Sequence, residues 1–354
     1  MLFLSKCFKE YKMPKNKMRV SCTILFFLAL ALFPKVSVNA ETVNLNYSIF
    51  FPSTHGQCEA GTAWAKAVEE RSGGKIKITV FPGGTLTNAP QTYKGVENGI
   101  ADIGMSCFAY TPGRFPVMEA LDLPLGYPTG KVATQVANEF YELNKPKELD
   151  DVKVLYIHAH GPGLLHTRKP VRNLADMKGM LIRSTGLSAK VVEALGGVPV
   201  AKSQGETYEA LQKGIVHGTI GPMEVLKGWN QGEVIKYTTD CHNVGYTTAM
   251  FVVMNLNKWN SLSDDLKTVI TEASREWVKT HGITWDSVDD AGRAFTLERG
   301  NEIIALSPEE HQVWKAAVKP VIDDYVKTVT AKGLDGQKIV QDIQGLIEKY
   351  TVKP

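Results

Sequence analysis

Histidine, cysteine and arginine are the residue types whose placement in this chain could support chemistry. His158-Ala-His160 puts two imidazoles on one face of a strand, a geometry able to hold a metal ion. Two hydrogen-bonded histidines closing a strand fit the same spacing. Cys241-His242 is a candidate thiol–imidazole pair, yet neighbouring strand residues point to opposite faces and would hold the two groups apart. Gly104-Met-Ser-Cys-Phe108 lacks the second glycine of a nucleophile elbow. No phosphate-cradling glycine loop, dinucleotide fingerprint or His-Glu-x-x-His zinc motif occurs. Lysines and arginines are scattered, without the basic stripe and interleaved aromatics of a nucleic-acid groove. Arg183 stands apart. It ends the apolar run Met180-Leu-Ile-Arg183, just before Ser-Thr-Gly186. The carboxyl ends of strands border the ligand crevice of open α/β sheets. A guanidinium there offers a planar donor fork that matches a carboxylate. A surface or lobe-closing salt bridge is its alternative role.

The elements that must position these residues are legible as alternating periods. Val43–Phe50, Lys75–Phe81 and Ile100–Met105 read as strands. Between them Ala60–Arg71 and Ala89–Asn98 have helical spacing, the first ended by Ser72-Gly-Gly74 and the second by Gly99. The β-α-β-α-β order predicts a parallel sheet with helices on its faces. The pattern restarts with strands at 153–159, 179–183, 199–201 and 215–220, and with helices at 174–178, 188–195 and 206–213. Two such units in tandem predict two lobes with a cleft between them. From Ser263 onward the chain reads as amphipathic helix over 264–293, 309–329 and 334–350. There is no internal repeat and no low-complexity linker, so a compact hinge is expected.

The 354 residues carry a formal net charge of +3, which by itself hints at an acidic partner. Located along the chain, that surplus means something else. Residues 1–40 hold seven basic side chains against Glu10, a local charge of +6, leaving −3 for residues 41–354. Six of the seven precede the apolar run Thr23–Phe33, and Val38-Asn-Ala40 follows with the short side chains of a cleavage site. This is the order of a secretory signal peptide cleaved near Ala40. An uncleaved anchor is the competing reading, but eleven apolar residues fall short of the roughly 20 that span a bilayer. The expected product is an exported chain with three cysteines, Cys58, Cys107 and Cys241. That odd number rules out a full disulfide framework, leaving one bridge plus a free thiol, or three buried thiols. A secreted enzyme using Cys107 or His242 is one functional class consistent with these residues.

A set of short segments points elsewhere. In order these are Gly74-Lys-Ile-Lys-Ile-Thr-Val-Phe-Pro82, Asn98-Gly-Ile-Ala-Asp-Ile-Gly104, Phe115-Pro116 and Leu121-Asp-Leu-Pro124. Then come Leu174-Ala-Asp-Met-Lys-Gly-Met-Leu-Ile-Arg183, Ala194-Leu-Gly-Gly-Val-Pro199, Tyr208-Glu-Ala-Leu-Gln-Lys-Gly-Ile-Val-His-Gly218 and Trp259-Asn-Ser-Leu-Ser-Asp-Asp-Leu266. In order and spacing the chain resembles the extracytoplasmic solute-binding subunits of tripartite ATP-independent periplasmic (TRAP) transporters, the DctP-like family, over nearly all of residues 43–350.

The resemblance implies an α/β, two-lobed periplasmic solute-binding-protein fold, with a ligand cleft between the lobes and long C-terminal helices. It implies lobe I from residues 41–161 and about 249–289, and lobe II from 162–248 and about 290–354. It implies no chemical step and no cofactor or metal. The ligand would be a small organic acid, passed to membrane permease subunits by a monomeric protein; a sensor's binding subunit would share the fold. Arg183 matches the family's carboxylate-binding arginine. The wider candidate site is Arg183, Phe50, Ser106, Tyr110, Gln204, Gly221 and Asn243. Sialic-acid-binding members carry a second arginine where this chain has Gly163, and asparagines where it has Gly186 and Gly221. Their polar residues in the first lobe correspond to Phe50, Cys107 and Tyr110. A heavily hydroxylated sugar acid would leave its polar groups unpaired here. Phe50 and Tyr110 would instead stack on a flat or apolar body. The expected ligand is therefore a monocarboxylate: an aryl or indolyl acid, an aromatic amino acid or a branched 2-oxo acid.

Overall fold

The computed structural model of the protein describes residues 42–352. The expected export signal over residues 1–40 and its cleavage at Ala40 lie outside the described residues. Period-two alternation builds the first sheet. In β1 (Val43–Ile49) the side chains of Leu45, Tyr47 and Ile49 share one face. They pack on Trp64 and Val68 of α1 (Gly56–Arg71), which Gly73 and Gly74 end in left-handed conformation. β2 (Ile76–Phe81), α2 (Thr92–Glu97) and β3 (Ile103–Cys107) follow, then α3 (Gly130–Asn144) and β4 (Val152–Ala159).

The chain then enters a second sheet through β5 (Leu164–Thr167), β6 (Leu181–Ser184), α4 (Leu187–Ala194), β7 (Val198–Ala201), α5 (Thr207–Gln212), β8 (Gly218–Gly221), α6 (Val225–Gly228) and β9 (Tyr237–Asp240). It returns to the first sheet as β10 (Ala249–Asn255), which is buried on both faces. Met250, Val252 and Met254 join the α1 side, while Phe251 and Val253 join Val136 and Phe140 of α3. After α7 (Leu256–Ser261) and α8 (Asp264–Glu298), β11 (Glu302–Ala305) goes back to the second sheet. α9 (Pro308–Thr330) and α10 (Gly336–Val352) end the chain.

The strand orders are β2-β1-β3-β10-β4 and β11-β9-β5-β8-β6-β7. Neither sheet is the fully parallel one predicted. β10 is antiparallel to both β3 and β4, and β5 is antiparallel to β8 and β9. The reason is topological: a strand arriving directly from the other sheet enters from the cleft side and must run the opposite way. α8, 35 residues long, packs on α1, α3 and β4 of the first sheet and on α6 and β11 of the second. The expected lobe boundary near 289/290 thus falls inside one unbroken helix. α9 lies on α4, but α10 packs on α3, with Lys349 and Tyr350 both bound to Glu139. The last helix therefore sits with the first sheet, not with the lobe II segment in which residues 290–354 are expected.

Candidate functional site

Because the parallel strands of both sheets end at the same seam, the residues just beyond them converge. Phe50 follows β1, Cys107 ends β3, His160 follows β4, Arg183 and Thr185 lie at the end of β6, and Gly221 ends β8. Together with Tyr110, Gln204, Trp229, Tyr246 and Trp285 they line a cavity of about 440 Å³.

Arg183 is the cationic group of this cavity. Its β6 register, opposite Val200 and Thr219, holds it between two parallel neighbours. The side chain is only 6% exposed. Nε donates to the carbonyl of Lys202 at 2.9 Å, which fixes the plane of the fork. The terminal nitrogens have no hydrogen-bond partner and no carboxylate within salt-bridge reach among the described residues. A buried guanidinium without a counter-charge is costly, and a ligand carboxylate supplies the missing partner.

The walls are aromatic. Phe50 stacks on Trp229 at 6.0 Å and meets Tyr110 edge-on at 5.9 Å. Trp285 and Phe51 pack beside them. Several of these contacts cross the seam. The backbone N–H of Gln204 donates to the Tyr110 hydroxyl at 3.1 Å. His55 Nε2 donates to Glu224 Oε2 at 2.7 Å, both residues being buried. The donor role is fixed because His55 Nδ1 accepts from the N–H of Gln57 at 3.1 Å.

Glycines shape the rest. A side-chain carbon on Gly163 would fall inside the ring of Tyr246, so the aromatic ring fills the room that a second arginine would need. Gly186 has φ +52° and lies against Ala109 of the opposite lobe, where a Cβ would come within 2.9 Å.

Of the predicted site residues, Arg183, Phe50, Tyr110, Gln204 and Gly221 meet in this cavity. Ser106 does not. β3 alternates, so Cys107 faces the cavity while Ser106 is buried and donates to the Ala89 carbonyl at 2.7 Å. Asn243 also lies elsewhere: it binds the carbonyl and Nδ1 of His311, tying the turn after β9 to α9. Trp229, Tyr246 and Trp285 escaped the sequence reading because they lie on connections and mid-helix, where an aromatic residue resembles core. His160 did carry a signal, its place at the carboxyl end of a strand. The histidine pair does not act together. His158 accepts from Trp285 Nε1 at 3.0 Å, and His160 is bound to Gly161. No metal-ligating cluster occurs among the described residues.

The thiols are poorly placed for catalysis. Cys58, Cys107 and Cys241 are all free and buried. Burial pushes the Cys58 thiol up to about 11 and Cys241 to about 12, and raises Cys107 further still. His242 is exposed beside Asp240 and does not line the cavity that holds Cys107. Such thiols are protonated and weakly nucleophilic.

A seam between two α/β sheets, with a buried cation in an aromatic chamber, defines a cleft-type ligand-binding protein. The chain belongs to the bacterial extracellular solute-binding proteins of family 7, the DctP family, whose profile it matches over residues 47–328. It is 36% identical to a TRAP periplasmic solute-binding protein from Desulfovibrio salexigens, with a TM-score of 0.77, covering 88% of this chain and 98% of that one. A marine-metagenome TRAP solute-binding protein specific for aromatic acids, solved with 3-hydroxybenzoate, is 31% identical with a TM-score of 0.83. It covers 88% of this chain and 99% of its own. The 2,3-diketo-L-gulonate-binding periplasmic protein of Escherichia coli is 26% identical over 73% of this chain and 80% of its own. This is a family of transporter binding proteins, not of enzymes. Its members bind small organic acids and work with membrane permeases. No helix among the described residues is long and apolar enough to cross a membrane.

Proposed function

We propose that this protein captures a monocarboxylate with an aromatic or apolar body and delivers it to the permease subunits of a TRAP transporter. The observation that carries the reading is Arg183, a buried guanidinium with no carboxylate in salt-bridge reach among the described residues, in a chamber walled by Phe50, Tyr110, Trp229 and Trp285. The carboxylate takes the free face of the fork, and the rings enclose the rest of the molecule. Gly163, filled over by Tyr246, argues against a second cationic anchor and so against a dicarboxylate or a sugar acid. The relative specific for aromatic acids is consistent with this choice.

Binding works by population shift. A ligand that touches both lobes gains contacts only when they meet, so it favours the closed form that the permease accepts. The protein acts as a monomer in the periplasm, released from its export signal near Ala40. The test is a thermal-shift series with benzoate, phenylacetate, indole-3-acetate, 2-oxoisovalerate, succinate and glucuronate. A ligand at 100 times its Kd adds about 2.7 kcal/mol of stability. An aryl or branched monocarboxylate is expected to stabilise most, and Arg183→Ala to abolish the effect. Stabilisation by glucuronate or succinate alone, or undiminished binding by Arg183→Ala, defeats the proposal.

A further inference from the structure

His160 places an oriented neutral acceptor in the cavity. His160 Nδ1 lies 2.5 Å from the carbonyl oxygen of Gly161. A carbonyl can only accept, so the proton is on Nδ1 and the tautomer is assigned by this partner. Burial, and secondarily the charge of Arg183, brings the imidazole down to about 4, so the ring is neutral at physiological pH. Its Nε2 then carries a lone pair, and the bond to Gly161 is the ring's one hydrogen bond among the described residues. The ring is held edge-on by Tyr246 at 5.7 Å and Trp285 at 6.0 Å, so it cannot swing away cheaply. Among the described residues the unpaired donors of the lining include Gln204 Nε2 and Trp229 Nε1, besides the terminal nitrogens of Arg183. A carboxylate satisfies donors and leaves the imidazole lone pair unmet. A hydroxyl on the ligand supplies the matching donor.

We infer that His160 is a specificity-determining residue, accepting a hydrogen bond from a hydroxyl of the ligand, so that the site prefers a hydroxy acid to its deoxy parent. This rests on the carboxylate reading of Arg183. An ammonium group would be drawn instead to Glu224, which also lines the cavity.

The experiment is calorimetry on protein expressed from the full chain. Benzoate, its three monohydroxy isomers, 3-aminobenzoate, phenylacetate and mandelate are compared on the wild type, His160→Phe, His160→Gln and Arg183→Ala. At least one hydroxy acid is expected to bind about fivefold to tenfold more tightly than its parent, the worth of one neutral hydrogen bond. In His160→Phe the ratio of hydroxy-acid to parent affinity should shrink to within about twofold; His160→Gln, which retains an acceptor, should keep part of it. If His160→Phe does not fold, the wild-type series and His160→Gln decide. The inference is overturned if no hydroxy acid outbinds its parent, or if the preference survives in His160→Phe. It is also overturned if the amine is the favoured derivative. Loss of all binding in Arg183→Ala, alongside any of those results, leaves the carboxylate reading standing without this one.

Discussion

Arg183 derives its role from what surrounds it more than from its charge. Lysine at this position would keep the charge but lose the bonded Nε that fixes the fork. Arg183→Lys is expected to weaken carboxylate binding about tenfold to a hundredfold, read as Kd by calorimetry, with little change in Tm. Gly163 is the opposite case, a residue whose importance is the absence of a side chain. Gly163→Ala drives a methyl into the ring of Tyr246 and should destabilise by about 1–3 kcal/mol, measured by chemical denaturation. A denaturation midpoint equal to that of the wild type would mean that Tyr246 moves freely. The cysteines give a third expectation at this scale. With all three thiols buried and raised, iodoacetamide near neutral pH should label the native protein slowly and the unfolded protein fully, as followed by mass spectrometry. Rapid labelling of Cys107 would revive a catalytic role for it.

At the level of elements, α8 is the piece that joins the two sheets. Gly292 on that helix allows the carbonyl of Met223 to approach where a Cβ would sit. Gly292→Ala should therefore cost about 1–3 kcal/mol and lower the cooperativity of unfolding, monitored by two probes in the same titration. Coincident, unshifted transitions would show that the contact is not needed. Most elements were legible because their periods are clean: β1, α1, β3, α8 and α9 fall close to the segments read from the sequence. β10 was not, because residues 249–255 are apolar without alternation, as a strand buried on both faces must be. Ser106 shows the same limit on a smaller scale. Strand phase decides whether it or Cys107 faces the ligand, and phase depends on register with β1 and β10.

For the whole molecule, the His55–Glu224 bond and the Phe50–Trp229 stack join residues of the two lobes. His55→Ala should therefore shift the unliganded protein toward an open form, with a larger radius of gyration in solution scattering and a Kd weakened about tenfold. An unchanged radius together with an unchanged Kd would remove His55 from the closing mechanism. Stability should also depend on pH in two opposed ways. Burial lowers His160 and His166 to about 4 and His281 to about 3, so the unfolded chain takes up protons that the fold refuses. Their contribution is complete above the ordinary histidine value and is lost as pH falls toward 4 and below. Burial raises Glu148 to about 7 and Asp289 to about 8, so the fold keeps protons that the unfolded chain releases. Their contribution is complete at low pH and is lost as pH rises toward 8. Tm is expected to peak at about pH 6–7 in a scan from pH 4 to 9; a steady climb to pH 9 would contradict these assignments. What the sequence determined by itself was the family, the alternation of strands and helices, and the one arginine at a strand's carboxyl end, because motif order and local period are properties of neighbouring residues. Only the tertiary structure decided which residues share the chamber, that Tyr246 occupies the room beside Gly163, and that His160 presents a lone pair, because each depends on side chains far apart in the chain meeting across the seam.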